Sequence, residues 1–149
     1  MAESVRVLLT EDEVDKRIKE LGEAISRDYE GETEHLVCVL KGGVFFMCEL
    51  AKRITVPVTM DFMSASSYGS STKSSGVVKI VKDLDERLKD RHVIIVEDIV
   101  DSGRTLSYVR RRFEDKAPKS LKIITLLDKP DRRVVDCKVE MSGFVIPNR

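Results

Sequence analysis

Two acidic side chains stand side by side in Val93-Ile94-Ile95-Val96-Glu97-Asp98-Ile99-Val100-Asp101-Ser102-Gly103-Arg104-Thr105, and a third follows at Asp101. Adjacent carboxylates repel unless something positive or donating lies between them, and a sugar diol or a metal-bound diol meets that need. Asp101 opens a turn of small and hydroxyl-bearing residues. Ser102 and Gly103 let the chain close around an anion, while the amides of a following helix start and the hydroxyls of Ser102 and Thr105 point donors at it. A phosphate fits such a turn. A lone Asp-Ser-Gly is more often a plain helix cap, with Glu97 and Asp98 ordinary surface carboxylates; the full order from Val93 to Thr105 favours the ligand-binding reading.

These side chains need an element that delivers them to one place. Val93 to Val96 is an apolar run without alternation, as suits a strand covered on both faces in a parallel sheet. Open α/β sheets bind their ligands at the carboxyl ends of such strands. The same grammar recurs at Leu36 to Leu40, which passes through Lys41-Gly42-Gly43 into the helical Val44 to Leu50, and at Leu121 to Leu127. Leu106, Val109 and Phe113 share one side of a helix opened by Gly103. Upstream, Thr10-Glu11-Asp12-Glu13 has the spacing of a capping box and predicts a helix with Val14, Ile18, Leu21 and Ile25 as its buried stripe. Strands alternating with helices predict a doubly wound, mainly parallel α/β sheet flanked by helices. One stretch breaks the pattern: Ser64 to Gly76 is too rich in Ser and Gly to pack, and reads as a flexible loop or a mobile lid.

Composition narrows the partners. A chain of 149 residues with 42% hydrophobic content predicts one domain over residues 1–149. Its 26 basic and 26 acidic side chains cancel, so the overall field draws in neither nucleic acid nor an anionic membrane, and phosphate binding has to be local. No apolar run is long enough to span a bilayer and the first residues carry no signal-peptide pattern, which makes the cytoplasm the expected location. Cys38, Cys48 and Cys137 have no CxxC spacing and read as small buried apolar residues. His35 and His92, each just before an apolar run, read as strand-edge residues, and Arg110-Arg111-Arg112 as the solvated, dipole-complementing end of a helix.

Val93 to Thr105 resembles the phosphoribosyl-pyrophosphate signature of type I phosphoribosyltransferases. Leu40-Lys41-Gly42-Gly43 resembles the pyrophosphate loop of the hypoxanthine-guanine branch. Ser66-Ser67-Tyr68-Gly69, with Lys79-Ile80-Val81-Lys82-Asp83-Leu84, resembles that branch's catalytic loop and return strand, and Leu126-Leu127-Asp128-Lys129-Pro130 its purine-reading segment. The resemblance runs from about Val5 to the last residue. It implies an enzyme of purine salvage that uses Mg2+ to join hypoxanthine or guanine to the ribose of phosphoribosyl pyrophosphate, releasing a purine nucleotide and pyrophosphate. It implies that Glu97 and Asp98 hold the ribose hydroxyls, directly or through the metal, and that Asp101 is the general acid/base beside N7 of the purine. Asp101, Ser102, Gly103, Arg104 and Thr105 would line the 5′-phosphate. Leu40, Lys41 and Gly42, across a Leu40–Lys41 peptide that is often cis in this family, would receive pyrophosphate together with Arg133. Lys129 would donate to the oxygen at position 6, and Ser67 and Tyr68 would lie on a lid. Without the resemblance, Lys129 reads as a solvated strand end and Arg133 as a surface charge. A homodimer or homotetramer is also implied.

In the family, the residues matching Ile146-Pro147 are followed by an aromatic that stacks on the purine and by an acidic residue that holds a second magnesium, and neither falls within this sequence. The expectation is a full donor site beside a half-built base site. Two alternatives stay open: a xanthine-guanine preference, since selectivity at position 2 depends on groups near that end, and a regulator of the same fold that senses phosphoribosyl pyrophosphate and binds RNA. A steep salt dependence of RNA binding would mark the regulator.

Overall fold

The computed structural model describes residues 9–67 and 78–147. Its first element, α1 (Glu11–Asp28), starts at the capping box expected: the Thr10 hydroxyl accepts from the Glu13 amide, and the Glu13 carboxylate accepts from the Thr10 amide. Ile18, Leu21 and Ile25 are its buried stripe, and Val14 packs on them partly covered. Then follow β1 (Glu34–Val39), α2 (Val44–Ala51), β2 (Val58–Ser67), β3 (Val78–Lys82), β4 (His92–Val100), α3 (Arg104–Glu114), β5 (Ser120–Asp128) and β6 (Met141–Val145).

All six strands form one sheet in the order β3-β2-β1-β4-β5-β6. Every pairing is parallel except β2 with β3. The run Leu36 to Val39 lacks polar alternation because both of its faces are covered. Leu36, Cys38, Ile94 and Val96 pack under α1 and α2, whereas Val37, Val39, Val93 and Ile95 pack under α3. The chain leaves β1 toward β2 on one side and returns through β4 toward β5 on the other. Parallel crossovers are right-handed, so this reversal sends α2 and α3 to opposite faces and opens a crevice between the carboxyl ends of β1 and β4.

Three expectations need correcting. Ser64 to Ser67 is not loop: it is the end of β2, paired with β3 from Ser64 opposite Lys82 to Ser67 opposite Val78, because a strand beside a solvated edge tolerates polar side chains. Cys48 is exposed, while Cys38 is buried and Cys137 partly so; all three are free thiols. His35 is not a strand-edge residue but a buried member of central β1, its Nδ1 lying 2.6 Å from the Thr59 hydroxyl; His92 does open β4. No helix among the described residues is long and apolar enough to cross a membrane.

The amino ends of the strands hold a buried acid. Glu34 is fully buried, and neither carboxylate oxygen has a partner among the described residues. Burial pushes its carboxyl up to about 8 despite the attraction of Lys122. The folded protein therefore keeps a proton that the unfolded chain releases above the ordinary carboxylate range, and stability is lost as pH rises toward 8. Glu34→Gln, which cannot ionise, should raise stability by roughly 1–3 kcal/mol at pH 8 and change it little at pH 4. Thermal denaturation of both proteins at the two pH values checks this, and an equal effect at each would exclude ionisation as the cause.

Candidate active site

Three neighbouring parallel strands, β1, β4 and β5, release their chains at the same edge of the sheet. At the end of β1 the Leu40 amide still donates to Met63 of β2, and the Leu40–Lys41 peptide is cis. Lys41 and Gly42 are exposed, and Gly43 is buried at the start of α2. A Cβ on Gly43 would lie 2.9 Å from the Val96 carbonyl oxygen and 3.5 Å from Glu97 Cα. Only a residue without a side chain lets this turn lie against β4. The position of a Cβ on Gly42 is 4.0 Å from Asp98 Cβ, so the turn borders the acidic pair.

The strand β4 is longer than its apolar run, and Glu97, paired with Thr125 of β5, and Asp98 lie inside it rather than following the strand end. Alternation turns their side chains to opposite faces, which eases the repulsion inferred from their adjacency. Asp98 faces the Gly42 turn, while Glu97 lines a hollow of about 140 Å³ with Asp101 to Leu106. Burial, reinforced by the Asp98 charge and only partly offset by the Asp98 amide, pushes the Glu97 carboxyl up to about 7; burial also raises Asp98. A larger hollow of about 400 Å³ along Asp83 to Lys89 is lined by charges of both signs and gathers none of these residues.

After β4, Gly103 adopts φ 82° and caps α3, whose first turn carries no acidic side chain to neutralise its amides. The Arg104 amide donates to Ser102 Oγ at 3.4 Å, and Ser107 donates to the Gly103 carbonyl. The result is a ready anion cradle. A Cβ on Gly103 would lie 3.0 Å from Cys137 Cβ and 3.2 Å from Arg133 Cδ. Gly103→Ala should therefore cost at least about 1–2 kcal/mol from the left-handed backbone alone, and weaken binding of inorganic phosphate or a phosphate ester. Thermal melts with and without the anion check both effects; an unchanged melting temperature would show that the turn relaxes freely.

At the end of β5 the Lys129 amide donates to the Val100 carbonyl at 3.0 Å, and Pro130–Arg132 forms one 3-10 turn. The Lys129 ammonium carries no hydrogen bond among the described residues. Asp101 lies across from this turn, its Oδ1 3.1 Å from Arg132 Nε. Arg133, expected beside a pyrophosphate, has its guanidinium engaged at the junction of β4 and β5 instead. It donates to the carbonyls of Val100, Asp101 and Lys129, and at 2.7 Å to Asp128. The lid positions fall differently: Ser67 ends the backbone of β2, and Tyr68 lies outside the described residues.

Sequence reasoning missed Arg132 and Asp128, although an Arg pair just past Asp128-Lys129-Pro130 was a visible signal. It also read Arg110 as solvated. Arg110 is instead largely buried, forming a two-pronged pair with Glu140 at 2.9 and 2.6 Å. Glu97 and Asp98 supply hard oxygen donors suited to a divalent cation that keeps water and substrate oxygens as its other ligands. Among the described residues no group of three or more metal-binding side chains is gathered.

The phosphoribosyl transferase domain family matches residues 6–148. A hypoxanthine-guanine phosphoribosyltransferase of Streptococcus thermophilus is 48% identical over 143 residues, covering 96% of this chain and 79% of the relative. The bifunctional protein TilS/HprT of Listeria monocytogenes is 48% identical over 143 residues, and there this chain spans only 22% of the relative's length. The crystal structure of a hypoxanthine phosphoribosyltransferase from Staphylococcus aureus superposes with a TM-score of 0.92 at 41% identity, covering 97% of this chain and 78% of that one.

Proposed function

The chain belongs to the phosphoribosyl transferase domain family, and from that premise we propose that it is a purine-salvage hypoxanthine-guanine phosphoribosyltransferase. The observation that carries this reading is the gathering of three strand ends at the crevice where the strand order reverses: a Gly-rich turn, an acidic pair with a phosphate-type turn, and a lysine-bearing turn.

In the reaction, N9 of hypoxanthine or guanine attacks the anomeric carbon of phosphoribosyl pyrophosphate. The bond from that carbon to the pyrophosphate oxygen breaks, and pyrophosphate leaves with the electron pair. Positive charge builds on the ribose, and the half-buried carboxylates of Glu97 and Asp98 stabilise it while holding the ribose hydroxyls. Asp101, whose Oδ1 lies 3.1 Å from Arg132 Nε, takes the proton released from N7. The amides and hydroxyls of Ser102 to Thr105 hold the 5′-phosphate, and the backbone of Leu40 to Gly42 receives pyrophosphate. Lys129 donates to the oxygen at position 6. Magnesium, when bound, neutralises charge on the leaving group.

We place the protein in the cytoplasm, in keeping with its free thiols. A homo-oligomer would cover Phe45, 85% exposed on α2. The test is formation of 5′-nucleotide from hypoxanthine, guanine and xanthine, each with phosphoribosyl pyrophosphate and Mg2+. IMP and GMP are the expected products; no nucleotide from any base would overturn the reading, and XMP as the main product would reassign the base.

A further inference from the structure

We propose that Arg133 is a positioning residue that locks the purine-reading turn to the phosphate turn, rather than a ligand of pyrophosphate; its effect on turnover rests on the function proposed above. The guanidinium joins two chain segments that only the sheet brings together. Nη1 shares its hydrogens among the carbonyls of Val100 (3.4 Å), Asp101 (3.2 Å) and Lys129 (3.3 Å). Nη2 donates to Asp128 Oδ1 at 2.7 Å, and the two side chains are 17% and 13% exposed. The aliphatic stem forms the floor beneath Gly103, since a Cβ there would meet Arg133 Cδ at 3.2 Å. One side chain thus touches the backbone of the proton acceptor, of the base-reading lysine and of the phosphate turn.

Two backbone bonds run parallel to this clamp, Lys129 N–H to Val100 and Val134 N–H to Ser102. The β4–β5 ladder ends at Val100 opposite Asp128, so beyond it the fork adds side-chain bonds to these two and to the Arg132–Asp101 contact. A planar fork is required, because a single ammonium nitrogen cannot stand among the three carbonyls and against Asp128 at the same time. Asp128 in turn orients the fork, as a carboxylate that accepts from one prong and leaves the other for the backbone.

The test uses Arg133→Lys and Arg133→Ala. Arg133→Lys keeps a cation for Asp128, so its melting temperature should stay within about 4 °C of the parent, while kcat for nucleotide formation falls about 10- to 100-fold and KM for phosphoribosyl pyrophosphate changes little. If Arg133 instead bound pyrophosphate, the KM for the donor would rise and kcat would move less. Residue-resolved hydrogen exchange gives a readout that does not depend on activity. In Arg133→Ala the amides of Lys129 and Val134 should exchange about 10-fold faster or more, while those of Ile95 and Ile124 in the strands keep their rates. Uniformly faster exchange, unchanged exchange at both turns, or Arg133→Lys with parental kcat would each overturn the positioning role. A parent protein that forms no nucleotide would sink the proposed function instead, and the exchange pattern would still decide the clamp.

Discussion

Asp101→Asn is expected to lower turnover by about 10²–10⁴-fold, the usual contribution of a general acid/base group, while leaving binding of phosphoribosyl pyrophosphate nearly intact. The amide keeps the shape of the carboxylate and loses the proton acceptor. Its backbone role is untouched, since the Asp101 carbonyl and not its side chain accepts from Arg133. The ion pair of Asp101 with Arg132 involves side chains that are 46% and 51% exposed, so its loss should alter stability by under about 1 kcal/mol. Steady-state kinetics at saturating base, with a melting curve as the control for folding, reads the effect. Turnover equal to the parent's would remove Asp101 from the mechanism.

The largest effect on stability should come from Glu140→Ala. Glu140 accepts both prongs of Arg110 and the Ile123 amide at 2.8 Å, and so pins α3 and the segment before β6 to the first half of β5. Removing the carboxylate leaves a largely buried guanidinium with only the Lys138 and Leu121 carbonyls and the exposed Glu114, and leaves the Ile123 amide without its carboxylate acceptor, which costs about 3 kcal/mol. For a domain of this size that corresponds to roughly 6–12 °C in melting temperature. Burial alone would raise the Glu140 carboxyl, but the hydrogen bonds from Arg110 and the Ile123 amide outweigh it and hold the group below the usual carboxylate range. Its contribution is therefore fully present above the ordinary carboxylate pKa and disappears as pH falls through the depressed folded value. The gap between parent and variant should be wide at pH 7 and close progressively in acid. A gap independent of pH would mean that packing, not charge, holds the junction.

Local chemistry makes most of the elements and the motif-bearing turns legible from the residues alone. The Thr10 to Glu13 spacing starts α1 wherever that helix packs, and the unbroken apolar runs at Leu36 and Val93 require strands covered on both faces. Gly43 and Gly103 were visible as turn glycines, yet their necessity came from contacts with Val96 and Arg133, residues far away in the chain. Which charges face each other depends on how distant segments pack. Arg110 and Glu140 are thirty residues apart and gave no pattern, and Arg133 could be told from a free cation only once β4 and β5 lay side by side. Partial burial gives such pairs their strength, because a charge withdrawn from water must find its partner inside the fold. Ser64 to Ser67 shows the same limit from the other direction: its polar composition suggested loop, and pairing with β3 made it strand, since backbone hydrogen bonds across a sheet are available to any side chain that the edge can keep solvated.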